Sequence, residues 1–338
     1  MVKWTCCPLF ALLLSGCAWR QGALQPLGPK ALAIAQLGGL FFWIALAVFA
    51  AVVSAAIWAF SHGSHRRTES DGEPLTPNAA TERRSTRAVG ASTLVSVVLL
   101  ALLLVASVAT GQGLADFSPP KPLRIKVTAY QWWWKIEYPG NSPQDWTVTA
   151  NELHVPAGRP IELELVSGDV IHSFWLPNLD GKHDLIPSHT IKTVIQADRV
   201  GEYAGRCAEF CGYQHAHMDL LLVAQTPTEF EAWLAAQRQP GHEPQTASEQ
   251  RGRELLEQSA CRLCHSVAGT KALGGVGPDL SHLASRRTLA AGAAALDRAA
   301  LRVWLQNPQL LKPGTKMPAI AFRDPEREAL LDYLESLR

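Results

Sequence analysis

The stretch Cys207-Ala-Glu-Phe-Cys211-Gly-Tyr-Gln-His215-Ala-His-Met218 gathers two thiols, imidazole nitrogen and a thioether into one short segment. Each is a soft or borderline donor of the kind that suits copper. Cysteines in a Cys-x-x-x-Cys pair lie one turn or one tight loop apart, so both sulfurs can reach a common centre. The same spacing also serves a disulfide or half of a zinc site. Zinc has little use for a thioether, and a plain disulfide leaves His215 and Met218 unexplained, so copper is the favoured reading.

The rest of the composition isolates this stretch further. A chain of 338 residues is long enough for two or more domains, and its formal charge of +1 argues against a nucleic-acid partner. The seven cysteines fall in three groups: Cys6, Cys7 and Cys17 at the start, Cys207 and Cys211 in the centre, Cys261 and Cys264 near the end. Methionine is scarcer. Apart from Met1, the chain has only Met218 and Met317, each close to a cysteine pair. Core filling is the usual task of methionine, but a chain that uses none elsewhere favours the ligand reading for both.

Upstream, Lys3, the apolar run Leu9–Leu14 and then Ser15-Gly16-Cys17 form an export signal. Leu14-Ser-Gly-Cys17 is similar to the bacterial lipobox, which implies a signal peptide over 1–16, cleavage before Cys17 and a lipid on its thiol; an ordinary signal peptide is the alternative. Leu32–Phe60 and Val89–Ala109 carry no charge and are long enough to cross a bilayer core of roughly 30 Å. Residues 61–87 between them are polar and contain Arg66, Arg67, Arg83, Arg84 and Arg87. Basic short loops stay in the cytoplasm, so both helices are expected to end outside, with the remaining two thirds of the chain external.

Beyond Ser118-Pro-Pro the pattern turns to short β-branched runs: 123–129, 146–153, 161–166, 170–175, 190–196 and 220–224. Glu162 and Glu164 alternate with Ile161, Leu163 and Leu165, the period of a half-buried strand. Several such strands at short spacing predict a sandwich or Greek-key barrel. The run Tyr130-Gln-Trp-Trp-Trp134 cannot turn all three indoles to one core, so at least one is expected to be exposed or at an interface, a membrane-surface belt being the simplest use. Residues 228–238 predict a short helix with Phe230, Trp233 and Leu234 on one face, and Pro and Gly mark 239–247 as a linker.

The last domain opens with a predicted helix over 248–259, followed by Cys261-Arg-Leu-Cys264-His265. This is the haem c attachment pattern, two thiols for the vinyl groups and an imidazole for iron. Pro313-Gly-Thr-Lys-Met317-Pro318 offers the second axial ligand of a His/Met cytochrome. Gly274–Leu280 suits a loop wrapped round the haem, and 325–337 a closing helix.

With these motifs in view, residues from about 17 to 238 resemble subunit II of the haem–copper cytochrome c oxidases, and 246–338 resemble a class I cytochrome c. The fusion is similar to the caa-type oxidases. The fold class this implies is a multidomain membrane protein: a transmembrane hairpin (17–116), an all-β cupredoxin Greek-key domain (117–238), a linker (239–247) and an all-α cytochrome c domain (248–338). By the same resemblance Asp169-Val-Ile-His172-Ser-Phe-Trp175 supplies the first histidine of a binuclear CuA centre. Cys207 and Cys211 then correspond to its bridging thiolates, His215 to the second histidine and Met218 to the weak axial ligand. Glu209 corresponds to the residue that binds through its backbone carbonyl, its carboxylate facing a magnesium ion at the boundary with subunit I. Trp132 corresponds to the aromatic that admits electrons from cytochrome c. His217 is not expected to be a ligand, and His154, His183 and His189 are expected to be core or surface residues.

The function implied is that of the electron-receiving subunit of an aerobic respiratory oxidase in the bacterial inner membrane, with its CuA and haem domains on the periplasmic face. Electrons pass from a cytochrome c donor to haem c, to CuA and to haem a of subunit I, where oxygen is reduced with proton translocation. Subunits I and III, the donor and membrane lipid are the partners implied. Residues 117–226 carry net negative charge and 246–338 net positive charge, which favours docking of the haem domain on the copper domain. Alternatives are a nitrous oxide or nitric oxide reductase, which also use CuA, and a membrane-anchored copper or haem carrier.

Overall fold

A computed structural model describes residues 22–63, 79–140, 142 and 145–338. The expected signal peptide and Cys17 lie outside the described residues. The chain divides into two units, the helical segment Leu32–Phe117 and a second unit holding Ser118–Arg338 with the residues up to Ala31.

The first unit holds two long helices, α1 (Pro29–Gly63) and α2 (Ala79–Ala115). Both are apolar enough to cross a membrane. Phe42, Trp43, Phe49 and Ile57 are more than half exposed, a surface that water does not tolerate over such a length. At 1.5 Å per residue, the 35 residues of α1 extend about 50 Å, well beyond a hydrocarbon core of roughly 30 Å. Both helices overrun the predicted bounds. Residues 79–87 of the expected loop belong to α2, because Ala79, Ala80, Glu82, Arg83 and Arg84 are good helix formers with Glu82 in the first turn. Residues 64–78 lie outside the described residues.

In the second unit the first domain is a sandwich of two five-stranded sheets. One runs β3 (Thr147–Ala150), β2 (Trp133–Tyr138), β1 (Leu123–Tyr130), β5 (Ile161–Ser167), β8 (Ile191–Ile195). The other runs β4 (Glu152–Pro156), β10 (Asp219–Gln225), β9 (Gly201–Cys207), β6 (His172–Trp175), β7 (Lys182–Leu185). Parallel pairs β1/β5 and β4/β10 sit within otherwise antiparallel sheets, the mark of a Greek key. The predicted alternation holds in β5: Ile161, Leu163 and Leu165 point into the core and both glutamates outward. The run 146–153 is not one strand. Asn151 adopts φ 63° and its side chain accepts the Trp134 amide at 2.9 Å, so the chain turns a corner between sheets there. Asn tolerates this left-handed conformation better than most residues.

β2, β7 and β9 are strands that the sequence pattern does not announce. In β2 the pleat sends Trp134 into the core, fully buried, and leaves Trp133 half-buried and stacked on Tyr130 at 5.1 Å. Helix α3 (Pro227–Gln237) closes the sandwich with Phe230 and Leu234, and Trp233 stacks on His154 at 4.1 Å. Thr226 and Glu229 form a capping box at its start.

The second domain is helical: α4 (Ala247–Gln258), the single turn α5 (Cys261–Cys264), α6 (Arg298–Gln306) and α7 (Asp324–Ser336). α4 and α7 cross at Gly252, where a Cβ would lie 2.1 Å from the Ala329 carbonyl. Only glycine allows that approach. The segment expected to be a free linker is held: Gly241 N donates to Ala268 O at 3.1 Å, and the Gln239 carbonyl lies 3.1 Å from His282 Nε2.

Candidate metal centre and haem pocket

The β9–β10 connection builds the first site. Its base is closed by Cys207 N donating to Met218 O at 2.9 Å, and Ala208 N donates to Ser173 O at 2.9 Å. These bonds pin the loop over the end of β6, which carries His172. Cys207, Cys211, Met218 and His172 are all buried. The two sulfurs stand 3.8 Å apart, unbonded. His172 Nδ1 lies 3.9 Å from Cys207 Sγ, His215 Nδ1 3.8 Å from Cys211 Sγ, and Met218 Sδ 3.9 Å from Cys211 Sγ. The Glu209 carbonyl is 3.2 Å from Cys207 Sγ, whereas the Glu209 side chain belongs to an exposed residue.

Electrostatics make this a cation site. The Cys207 thiol is pulled down to about 3 by its hydrogen bond with Cys211 and, against the cost of burial, by His172. Cys211 is pushed the other way by the neighbouring Cys207 and by burial. Two thiolates so close repel one another, and the pair holds a proton until a cation replaces it. His172 is oriented from behind by Asp169, whose Oδ1 lies 2.8 Å from Nε2. Burial works to raise the Asp169 carboxyl, but hydrogen bonds from His172 and the Gln131 and Val170 amides hold it at about 2. A carboxylate on the far imidazole nitrogen fixes the tautomer and leaves Nδ1 facing the sulfurs. Two thiols, two imidazoles, a carbonyl and a thioether, with both thiols, the thioether and His172 buried, fit copper by donor chemistry. His217 turns away, its Nδ1 2.8 Å from Gln214 Oε1. His154 is buried, His183 partners Asp180 and His189 is exposed.

The second site is a cavity of about 510 Å³ whose lining includes Cys261, Cys264, His265 and Met317. Pro278 O lies 2.7 Å from His265 Nδ1, leaving Nε2 as the free donor atom. Burial lowers the His265 pKa and keeps the ring neutral, as an iron ligand must be. Gly277 is required beside it, since a Cβ there would sit 2.7 Å from the ring. Arg286 Nε is buried with no partner among the described residues, and burial lowers the pKa of its guanidinium. An anionic macrocycle bound through two thioethers fits this lining and this orphaned donor.

The two sites are close. Tyr130, Trp132 and Trp133 of the sandwich line the same cavity as Met317. Trp132 is only 7% exposed, and its Nε1 donates to the Cys211 carbonyl at 3.0 Å. Gln131 Nε2 donates to the same carbonyl at 2.8 Å. The loop before Met317 lies on the copper loop: Gln214 Nε2 donates to Pro313 O at 2.5 Å, and Lys316 Nζ is 3.4 Å from Asp169 Oδ2. Arg287 pairs with Glu202 across the same interface. In both of these pairs the cation comes from the haem domain and the anion from the sandwich. Asp169, Gln131, Arg286, Glu152 and Lys312 were given no role by the sequence; Asp169 and Gln131 fall inside quoted stretches only as neighbours of His172 and Trp132, and the other three stand in no quoted motif.

Comparison with known proteins finds a match for each of the two domains. Residues 143–225 match the family model for the periplasmic domain of cytochrome c oxidase subunit II, and 249–338 match that for cytochrome c. The chain is 32% identical to cytochrome c oxidase subunit 2 of Alkalihalophilus pseudofirmus, over 97% of this chain and 94% of the relative. It is 30% identical to the Bacillus subtilis protein of the same name, over 73% of each. Among solved structures, the periplasmic domain of oxidase subunit II from Bradyrhizobium japonicum is 30% identical over 36% of this chain and 96% of that one, with a TM-score of 0.33.

Proposed function

The chain belongs to the cytochrome c oxidase subunit 2 family, and from that premise we propose that it carries electrons from its cytochrome domain through its cupredoxin domain to a partner subunit that reduces oxygen. His172, Cys207, Cys211, His215, Met218 and the Glu209 carbonyl are the residues that hold CuA, and Cys261, Cys264, His265 and Met317 those that hold haem c. When bound, these groups supply one-electron carriers, the copper pair sharing its electron over two thiolates and the haem raised in potential by its methionine.

The protein's own contribution is position and environment. Asp169 orients His172, burial of His172, Cys207, Cys211 and Met218 keeps water from their donor atoms, and the cytochrome domain rests directly on the copper domain. The observation that carries the reading is Trp132, whose indole donates to the Cys211 carbonyl while the residue lines the haem cavity. Its side chain reaches both sites, as does that of the adjacent Gln131. The burial of Trp132 means that an external donor reaches the haem domain first, on the side where Leu263, Leu273 and Val276 are largely exposed.

Finer assignments follow from the same reading. Glu209 and Phe210 are exposed beside the ligand loop, which suits a face turned to subunit I, with magnesium at the Glu209 carboxylate. Subunit III, the bacterial inner membrane and lipid on Cys17 complete the proposal. The test is Trp132→Leu in the assembled oxidase, with copper and haem spectra recorded alongside haem-to-copper electron transfer. Slower transfer with intact spectra is expected; transfer at the unaltered rate refutes the role of Trp132. Oxygen uptake by a complex containing haem a separates this reading from a nitrogen-oxide reductase or a bare carrier.

A further inference from the structure

A charged side chain removed from water is costly unless its hydrogen-bonding capacity is met. The contact between the cytochrome and copper domains contains two such side chains, Glu152 and Lys312, each 2% exposed. Among the described residues neither forms a salt bridge across the contact, although His154 Nε2 of the same domain lies 3.8 Å from Glu152 Oε2. Each is satisfied instead by the backbone of the other domain. Glu152 Oε1 accepts from the amides of Arg287 and Thr288 at 2.6 and 3.0 Å. Lys312 Nζ donates at 2.8 Å to the carbonyls of Trp132 and His217 in the copper domain and to Ala290 in its own.

The stoichiometry is complete on the lysine side, since an ammonium has three N–H donors and three carbonyls receive them. Burial lowers its pKa to about 7, with Asp219 and Cys211 pulling upward. Between the two charges runs the segment 287–292, and it is gripped along its length. Asp219 N donates to Ala291 O at 3.0 Å. Gly292, at φ 86°, packs so tightly on Asp219 that a Cβ would lie 2.7 Å from the aspartate Cβ.

Such contacts set register more than raw affinity. When the domains part, both charges regain water, so little is gained by closure alone. Any other docked arrangement, however, buries an anion without amides or a cation without carbonyls, and is disfavoured for that reason. One of the three carbonyls belongs to Trp132, whose indole is bonded to the Cys211 carbonyl. Lys312 therefore holds the residue that spans the two sites, from the loop that leads to Met317.

We propose that Glu152 and Lys312 form a reciprocal clasp that fixes the cytochrome domain on the copper domain in one register, with Lys312 a positioning residue for electron transfer through Trp132. This rests on the electron-relay reading above. The docked haem domain is then a fixed part of the subunit, not a shuttle on a tether. Outside donors must deliver electrons without displacing it.

The test uses the full chain in the assembled oxidase, comparing Lys312→Met, Glu152→Ala and Glu152→Gln with the parent protein. Amide hydrogen exchange is followed at Arg287, Thr288 and Asp219, whose amides bond to groups other than Lys312. Lys312→Met should lower protection there by at least about tenfold, because the contact opens as a unit. Haem-to-copper transfer, measured after flash reduction, should slow while the near-infrared copper band and the haem potential stay unchanged. Glu152→Ala should deprotect Asp219 on the far side of the clasp, and Glu152→Gln, which keeps an acceptor oxygen, should restore most of it. If Lys312→Met does not assemble, the two Glu152 variants decide alone. Parent-like protection at Asp219 in Glu152→Ala, or parent-like transfer in the variants, overturns the clasp. A parent chain without copper and haem signals would instead overturn the relay reading, and leaves the exchange result standing by itself.

Discussion

Asp169→Ala removes a carboxylate that meets four partners at once, one of them the adjacent Val170 amide at 2.8 Å. It holds His172 Nε2 at 2.8 Å, accepts the Gln131 amide at 2.8 Å, and faces Lys316 at 3.4 Å. The imidazole contact carries the largest consequence. Losing a charge-assisted hydrogen bond costs about 1.5–3 kcal/mol, and here that energy goes into holding one tautomer and one ring orientation. Without it Nδ1 no longer faces Cys207 at all times, and copper affinity should fall about 10–100-fold, the range for removal of a residue that orients a metal-ligating histidine. The Gln131 amide, left unpaired, loosens the turn before Trp132 as well. The Lys316 pair is 60% exposed on the lysine side and adds little. The assay is competition for copper with a chelator, followed by the near-infrared band of the pair. Asp169→Asn separates charge from geometry, since it keeps an acceptor for one partner, and should lose less. Parent-like copper affinity in Asp169→Ala would refute the orienting role and the reasoning from Nε2 to Nδ1.

Two further outcomes test other parts of the molecule. Met317→Ala should leave haem covalently bound through Cys261 and Cys264 while lowering its potential; retention is read by peroxidase staining of the denatured chain, and an unaltered potential would reject Met317 as ligand. Lys30 and Asp180 form a buried ion pair at 3.1 Å, with His183 and Thr193 on the same carboxylate. Burial raises the Asp180 pKa, but the His183 hydrogen bond and the Lys30 charge outweigh it, so the folded value lies below the unfolded one. A depressed carboxyl contributes stability that is present above the unfolded pKa of about 3.9 and is lost as pH falls through the folded value. Asp180→Ala should therefore unfold more easily near neutrality, by about 3–5 kcal/mol since it strands Lys30, and the gap should close on acidification below about pH 4. Thermal melts of the copper band across that range check both points; an equal gap at every pH would dismiss the ion pair.

Much of this molecule is written locally. Glu162 and Glu164 alternate with three apolar neighbours because a pleated strand has a period of two, and β5 forms where that pattern lies. Strand β9 escaped the same reading because Gly201 and Gly205 interrupt it and lower its β propensity. β2 was hidden inside the tryptophan run, where bulky aromatics on both faces mask the alternation; Trp132 and Trp134 both join the sandwich core, and Trp132 lines the haem cavity as well. The helix ends of α1 and α2 also moved, since the apolar run marks where a membrane core would lie and helix propensity carries the backbone further.

The sequence by itself determined the chemistry of the two candidate sites. Cys207, Cys211, His215 and Met218 stand within one loop, Cys261, Cys264 and His265 within one turn, and short covalent spacing leaves few other arrangements for soft donors so placed. Tertiary structure decided how the sites face each other. Asp169 reaches His172 by local geometry, but Glu152 meets Arg287 and Thr288, and Lys312 meets Trp132 and His217, over separations of 95 to 180 residues. Their partners are backbone amides and carbonyls, which all residues but proline possess alike and which therefore leave no mark in the order of side chains. Only the folding of one domain onto the other selects which of them is met.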